Sequence, residues 1–493
     1  MSGRPPRVAI IGAGFGGLGV ALKLAAAGHH NFVVYERADD IGGTWHVNTY
    51  PGAACDAPSY IYSYSFAQEV DWSRRFATGP EIKQYLQRCV ARAGISERIR
   101  TGTEVVAACW TGTCWTLTFA DGQTAEADVL VPALGQLTEP FGPDLAGLET
   151  FAGPAFHTAR WRHDIDLTGK RVAVIGTGAS AVQVVPAVAP HADHVTVFQR
   201  SAPYVFGKAD SLYSERLHRR HRSVPALRSA IRLGIWSYFE LVTMMFTRRP
   251  GALSLLGRMH SRVLASRVAD PRLRDMLRPN EPIGCKRILI SDDYYATLAR
   301  PDVTLETAGM ECVTPTGIVC VDGTHHRADV IVFATGFVTT PFVSTLTVTG
   351  RGGQTLTDAW AQRAAAFLGL SLPGFPNMFL VYGPNTNLGS GSIVYMLEAQ
   401  ADHIVSAVTA LAATDGATIE IAEQAFRDFL SELDSRQPRT VWQACRSWYR
   451  DTDGHDTHNW PWLMSSYRRR TRRIRPAEYL VTPRHGSDDS APA

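Results

Sequence analysis

No apolar run in this 493-residue chain reaches the roughly 18–20 residues that a helix needs to cross a bilayer. The longest, from Leu233 to Phe246, is interrupted by Glu240 and is expected to form a buried or tunnel-lining helix. An excess of one charge sign is also lacking. The 49 basic and 46 acidic residues leave a formal +3, so no global field marks a nucleic-acid or acidic-membrane partner, and a small-molecule substrate is favoured. The eight cysteines are scattered along the chain, and no secretory signal is expected ahead of the first apolar run, which together favour the cytoplasm. Cys109 and Cys114 fall in a turn between alternating strands, and they read as part of a hairpin, not as a redox pair. The length itself excludes a single small module, since domains average roughly 100–200 residues.

Two segments carry the same plan. Arg7 to Gly17 is a short apolar strand running into a glycine loop (Gly12, Gly14, Gly17) and then a helical pattern; Arg171 to Ala181 repeats it with Gly176, Thr177, Gly178 and Ala181. Downstream, Asp121-Gly122, Ala127-Asp128 and Gly135 recur as Asp322-Gly323, Ala328-Asp329 and Gly336, all offset by 201 residues. A shared hairpin and buried strand after each glycine loop indicate two related dinucleotide-binding halves. The first glycine permits the tight turn, the second lets backbone approach a pyrophosphate, and the third allows close helix–strand packing.

The halves differ at the end of the second strand, where the ribose is recognised. Glu36, 24 residues after Gly12, suits ribose hydroxyls and repels a phosphate; Arg200, 24 residues after Gly176 and beside Ser201, suits a 2′-phosphate. FAD is expected in the first half and NADPH in the second. Solvated strand-end charges are the alternative at both positions. Between Lys208 and Pro282 the sequence turns rich in Arg, Leu, Ser and His with helical spacing, which predicts a helical insertion; its His218–Arg222 run reads as a solvated helix face, and no metal-ligand spacing is present. The expected fold is therefore α/β, with two Rossmann-like dinucleotide-binding domains (FAD and NADPH) and a helical insertion in the NADPH domain. The expected partition is an FAD domain from 1–145 and 337–484, a linker and NADPH domain from 146–207 and 282–336, the insertion at 208–281, and a disordered tail at 485–493.

The segment Gly42-Gly43-Thr44-Trp45 through Tyr50-Pro51-Gly52 to Asp56 and Tyr62, together with Phe151, Gly153, His157, Trp161, His163 and Asp164 just before the second glycine loop, resembles the signatures of type I Baeyer–Villiger monooxygenases. The whole chain follows that family's order. Arg162 stands where the family usually has proline, and the Trp-x-His-Asp ending is similar to the acetophenone-oxidising branch. The resemblance implies hydride transfer from NADPH to FAD, oxygen addition to give a C4a-peroxyflavin, and attack on a ketone to give an ester or lactone. It implies that Arg287 stabilises negative charge, that Lys286 reaches the 2′-phosphate, and that Asp56 holds Arg287 in place. It further implies cofactor contacts at Thr44, Trp45, Tyr62, Val105, Thr177, Ser180, Ala181, Gln183, Ser201 and Trp460. His157 and Trp161 are expected to orient the linker between halves, Tyr382 to Gly389 to close over the isoalloxazine, and the arginine-rich segment from Arg468 to Arg475 to close the chain without binding nucleic acid. The expected partners are a ketone and O2, with the chain as monomer or homodimer. Two alternatives stay open: a flavin monooxygenase oxidising sulfur or nitrogen, and a non-oxygenating NADPH-dependent reductase.

Overall fold

In the first half, the strand Val8–Ile11 lies parallel between Phe32–Tyr35 and Val129–Pro132, with Ile99–Arg100 at the edge. The architecture is that of a computed structural model of the full chain, which describes all residues except 1–3, 70, 340–341, 344, 415–416, 446 and 484–493, so the tail expected at 485–493 lies outside the described residues. The second half repeats the arrangement with Arg171–Ile175 between His194–Phe198 and Val330–Phe333, flanked by Val303–Glu306 and Ala155–His157. Val8–Ile11, Val129–Pro132 and Val330–Phe333 are buried throughout, because helices and hairpins cover both faces of a parallel sheet, and their unbroken apolar sequences follow from that. An antiparallel three-stranded hairpin unit precedes the last central strand in each half, at Val105–Trp110, Trp115–Phe119 and Thr124–Ala127, and again at Met310–Thr314, Gly317–Cys320 and His325–Arg327. Cys109 and Cys114 sit in the first of these as free thiols.

After Phe333 the chain returns to the first half. Phe337–Val338 pairs with Glu139–Pro140, and the long helix Ile393–Ala413 packs on the helix Phe15–Ala26 within one apolar core. The basic C-terminal helix Met464–Thr471 closes that core: Tyr467 is wholly buried and donates to the Leu368 carbonyl at 2.7 Å, while Arg470 pairs with Glu432 at 2.9 Å.

The insertion is helical, with Glu215–Ser223, Pro225–Arg248, Leu253–Arg267 and Pro271–Met276. One expectation about it is corrected and another is narrowed. His218 and His221 are buried, not solvated; the first bonds the Trp72 carbonyl at 3.0 Å and the second the Tyr60 hydroxyl at 2.5 Å, so they latch the insertion to the first half while the neighbouring arginines stay outside. The Leu233–Phe246 stretch is buried on one side only: Trp236 and Phe239 line a cavity and Phe246 is buried, while Leu233, Tyr238 and Leu241 are 60%, 62% and 55% exposed. Its inner side alone packs on the protein.

Among the buried histidines of the described residues, two are shifted furthest by burial and stay neutral. His403, on the long helix, is fully buried between the Thr471 carbonyl and the Tyr479 hydroxyl, and burial lowers its pKa to about 4; His458 is lowered to about 4 for the same reason. Both folded values lie below the unfolded one, so the unfolded chain binds more protons between pH 6.5 and 4, and stability is lost as pH falls through that window. Asp456, raised to about 6 by burial, offsets part of this loss. Each histidine should cost about 2 kcal/mol at pH 5. Thermal melting should therefore show a lower Tm at pH 5 than at pH 7.5, with a shallower dependence in His403→Gln; an equal dependence in that variant would contradict the assignment.

Candidate functional site

The two glycine loops obey the same steric constraints. Gly12 and Gly176 have φ of +107° and +113°, and a Cβ on either would stand 2.6 Å and 2.5 Å from the carbonyl oxygens of Ala133 and Ala334, residues that are themselves 201 apart. A Cβ on Gly17 would lie 1.9 Å from the Gly12 oxygen, whereas the second half accommodates the wholly buried Ala181 at the corresponding place.

The middle glycines behave differently. Gly14 and Gly178 cap the helices Phe15–Ala26 and Ala179–Val188 in extended conformations open to any residue. A Cβ at Gly14 would meet only Gly43 Cα, at an ordinary 3.6 Å, and one at Gly178 would meet nothing within 4 Å. The protein itself does not demand glycine at these positions. The space lies at two helix N-termini, where backbone N–H groups favour a phosphate, so the residues present fit a pyrophosphate in each half.

At the strand ends, Glu36 is buried and accepts from the backbone N–H of Ala13 at 2.7 Å and of Ala38 at 2.9 Å, so it braces the first glycine loop and is not a solvated charge. In the second half the fold gathers distant residues. Thr177 donates to the Ser201 carbonyl at 2.9 Å, and Lys286 Nζ reaches Ser201 Oγ at 3.3 Å while pairing with Glu281 at 2.8 Å; Arg200 is exposed beside them.

Asp56 and Arg287, 231 residues apart, form a fork: Arg287 Nε donates to Oδ2 at 2.9 Å and Nη2 to both carboxylate oxygens at 2.6 Å. The Asp56 carboxylate raises the guanidinium's pKa further, against the lowering by desolvation, so the cation is fixed at any working pH. The pair stays reachable, with 48% of the Arg287 side chain and 24% of Asp56 accessible. Two phenols, the half-buried Tyr382 and the buried Tyr449, stand in the field of this arginine. Tyr382 is pushed up to about 12 by burial, has φ of +63° and donates to Asn387 at 3.0 Å; Tyr449, 2% exposed, is raised for the same reason.

Both members of the fork are anchored. The loop carrying Asp56 docks on the second half through Tyr50, which donates to Gln183 Oε1 at 2.8 Å, through Gln183 Nε2 donating to the Ala54 carbonyl at 2.8 Å, and through Gly52, whose Cβ would stand 2.6 Å from the Gln183 carbonyl. Ser180 lies in the first turn of the same helix. Cys285, just before Lys286, forms a disulfide with Cys445, which ties the Arg287 loop to the segment bearing Tyr449.

The remaining sequence-derived residues fall in several places. Trp45 donates to the Tyr62 hydroxyl at 3.1 Å, Thr44 beside it is exposed, and Val105 is buried in its strand. His157 accepts from Ala159 N–H at 3.1 Å and meets the Phe337 ring edge-on, at the joint where the chain returns to the first half; Trp161 packs edge-on against Phe156. Trp460 is wholly buried among Phe429, Trp462 and Tyr467, with Arg470 over its ring, so it anchors the C-terminal segment. Sequence reasoning missed Tyr449, the disulfide and the bracing by Gln183; no spacing marks contacts made across 129 to 162 residues. One further cluster, Glu306, Cys320 and His326, has donor atoms close enough for a metal, but His326 already bonds Glu306 at 2.8 Å.

Two parallel-sheet halves, each with a pyrophosphate cradle and joined over a reachable arginine–carboxylate fork, define a flavoprotein oxidoreductase that uses two dinucleotides. Residues 6–224 match the family model described as Pyridine nucleotide-disulphide oxidoreductase. A Baeyer-Villiger monooxygenase of Streptomyces coelicolor is 41% identical over 480 residues, which covers 96% of this chain and 92% of that protein. One from Pseudomonas aeruginosa is 38% identical over 481 residues, covering 97% and 91%. Among solved structures, an oxidized steroid monooxygenase bound to NADP superposes with a TM-score of 0.87 at 31% identity, over 97% of this chain and 99% of that one. A cyclohexanone monooxygenase from Rhodococcus sp. Phi1 bound to NADP+ gives 0.85 at 26% identity, over 97% and 99%. The chain belongs to the Baeyer–Villiger monooxygenases.

Because the protein leaves room at Gly14 and Gly178, larger side chains there test the cradles without unfolding them. Gly14→Val should give a folded protein that has lost FAD, and Gly178→Val one that keeps FAD but binds NADPH at least about tenfold more weakly, equivalent to about 1.4 kcal/mol. Flavin absorbance and NADP+ titration read the two outcomes; full FAD content in Gly14→Val would refute the first cradle.

Proposed function

We infer that the chain inserts one atom of O2 beside a ketone carbonyl, giving an ester or lactone and water, with NADPH as the electron donor and FAD between them. The observation that carries this reading is the Arg287–Asp56 fork: a permanent, half-exposed cation held by a carboxylate from the other half of the chain.

Bound in the first half, FAD would accept hydride from NADPH and pass the electrons to oxygen. Gly12, Gly14 and Gly17 would leave room for its pyrophosphate, and Glu36 would take its ribose with the lone pairs not already used on Ala13 and Ala38. Gly176 to Gly178 would receive the NADPH pyrophosphate, and Arg200, Ser201 and Lys286 its 2′-phosphate, with Glu281 holding Lys286 near Ser201. Arg287 would then oppose the negative charge that develops on oxygen during insertion. Asp56 keeps the planar guanidinium oriented, beside the half-buried Tyr382 and the buried Tyr449.

Arg287→Ala should still oxidise NADPH but release the oxygen as hydrogen peroxide, with ester formation lower by roughly 10²–10³, and Arg287→Lys should restore little because a point charge does not replace the fork. Product analysis against NADPH consumption decides the matter; near wild-type coupling in Arg287→Ala would overturn the reading. Arg200→Ala should narrow the preference for NADPH over NADH by on the order of tenfold, since charge-assisted contacts are worth roughly 1.5–3 kcal/mol. An unchanged NADPH to NADH ratio of kcat/KM would contradict the 2′-phosphate site.

A further inference from the structure

The whole-chain charge of +3 conceals a segregation. Residues 208–281 carry fifteen Arg and Lys against six Asp and Glu, an excess of nine positive charges, so the rest of the chain is net acidic. Arg219, Arg220, Arg248, Arg249, Arg258 and Arg262 are exposed and meet no carboxylate within ion-pairing distance among the described residues.

The helix Pro225–Arg248 is inverted relative to an ordinary surface helix. Arg232 and Glu240 point inward, the first donating to the Ser63 carbonyl at 3.0 Å and the second accepting from the N–H of Met464 at 3.0 Å, while Arg248 at the helix end is exposed. Every exposed residue from Ala226 to Leu241 is uncharged; these positions recur every three to four residues, and Leu233, Tyr238 and Leu241 stand 60%, 62% and 55% exposed. On the next helix Leu255 and Met259, 62% and 47% exposed, alternate with Arg258 and Arg262. A cavity of about 360 Å³, lined by Leu233, Trp236, Phe239, Tyr395 and Met464, opens beside this stripe and reaches Ile61, the neighbour of Tyr62.

We propose that this insertion docks the protein on the surface of an anionic lipid membrane, with the uncharged stripe in the headgroup–acyl boundary and the arginines on the acidic headgroups. Among the described residues no helix is long and apolar enough to cross a membrane, and the proposed contact is interfacial. Charge complementarity selects this occupant. A second copy would set one strongly basic insertion against another, and a neutral apolar partner would leave the arginines uncompensated, whereas an anionic interface satisfies both features. The cavity beside Leu233 then faces the phase into which apolar ketones partition; the docking itself does not depend on the proposed reaction.

The test is co-sedimentation of the FAD-loaded full chain with vesicles of phosphatidylcholine alone and of phosphatidylcholine with phosphatidylglycerol. Pelleting should be roughly tenfold or more greater with the anionic vesicles and should fall with added salt. Tyr238→Asp with Leu241→Asp, and separately Arg219→Glu with Arg220→Glu, should each remove most of it while FAD content and NADPH oxidation stay at wild-type levels. Equal pelleting with both vesicles, none at low ionic strength, or undiminished binding in the Tyr238→Asp, Leu241→Asp variant would overturn the proposal. A solution dimer dissolved by that variant would also overturn it, assigning the stripe to a second copy.

Discussion

The Arg287–Asp56 fork is the contact on which the two halves depend for a common site. Asp56 belongs to the first half but rides on a loop docked to the second through Tyr50, Gly52 and Gln183. Arg287 follows the helical insertion and is steadied by the disulfide to Cys445. Each partner is therefore presented by elements that cross the domain boundary, and removing either would leave a charge beside phenols that cannot compensate it. In the proposed reaction the same fork supplies the fixed cation, so the requirement for assembly and the requirement for chemistry fall on one pair of side chains.

The two cradles show how a repeated plan is maintained by different pressures. Gly12 and Gly176 are imposed by backbone, since any side chain would strike Ala133 or Ala334, and the common 201-residue offset is the trace of that packing. Gly14 and Gly178 are not imposed by the protein at all, and the room they leave is the feature that fits a cofactor. The halves diverge where a ligand would be told apart: a carboxylate already engaged with backbone in one, a cluster of cations in the other.

Averages misrepresent the insertion. Its excess of positive charge is cancelled by the rest of the chain, and its apolar helix was expected to be buried or to line a tunnel, yet the fold turns Arg232 and Glu240 inward and leaves Leu233, Tyr238 and Leu241 outside. The histidines beside it were expected outside and instead lie buried against Tyr60 and Trp72. A run of residues on one helix cannot reveal which side has a partner, because that depends on the surface brought against it.

The sequence by itself determined the α/β plan, the duplication, the helical insertion and the positions of both glycine loops, because strand, loop and helix patterns are local and their steric demands are written in neighbouring residues. Through the family resemblance it also supplied Asp56 and Arg287 as partners and set Lys286 with Arg200 and Ser201 at the 2′-phosphate. Only the tertiary structure decided the geometry of that fork, the bracing of its loop by Gln183, the joining of Tyr449 and Cys445 to the Arg287 loop, and the anchoring of a core by Trp460. The physical reason is that the contacts at the fork join segments more than 120 residues apart, and even the nearer packing of Trp460 on Phe429 depends on which faces the folded chain brings together, a property that no local spacing encodes.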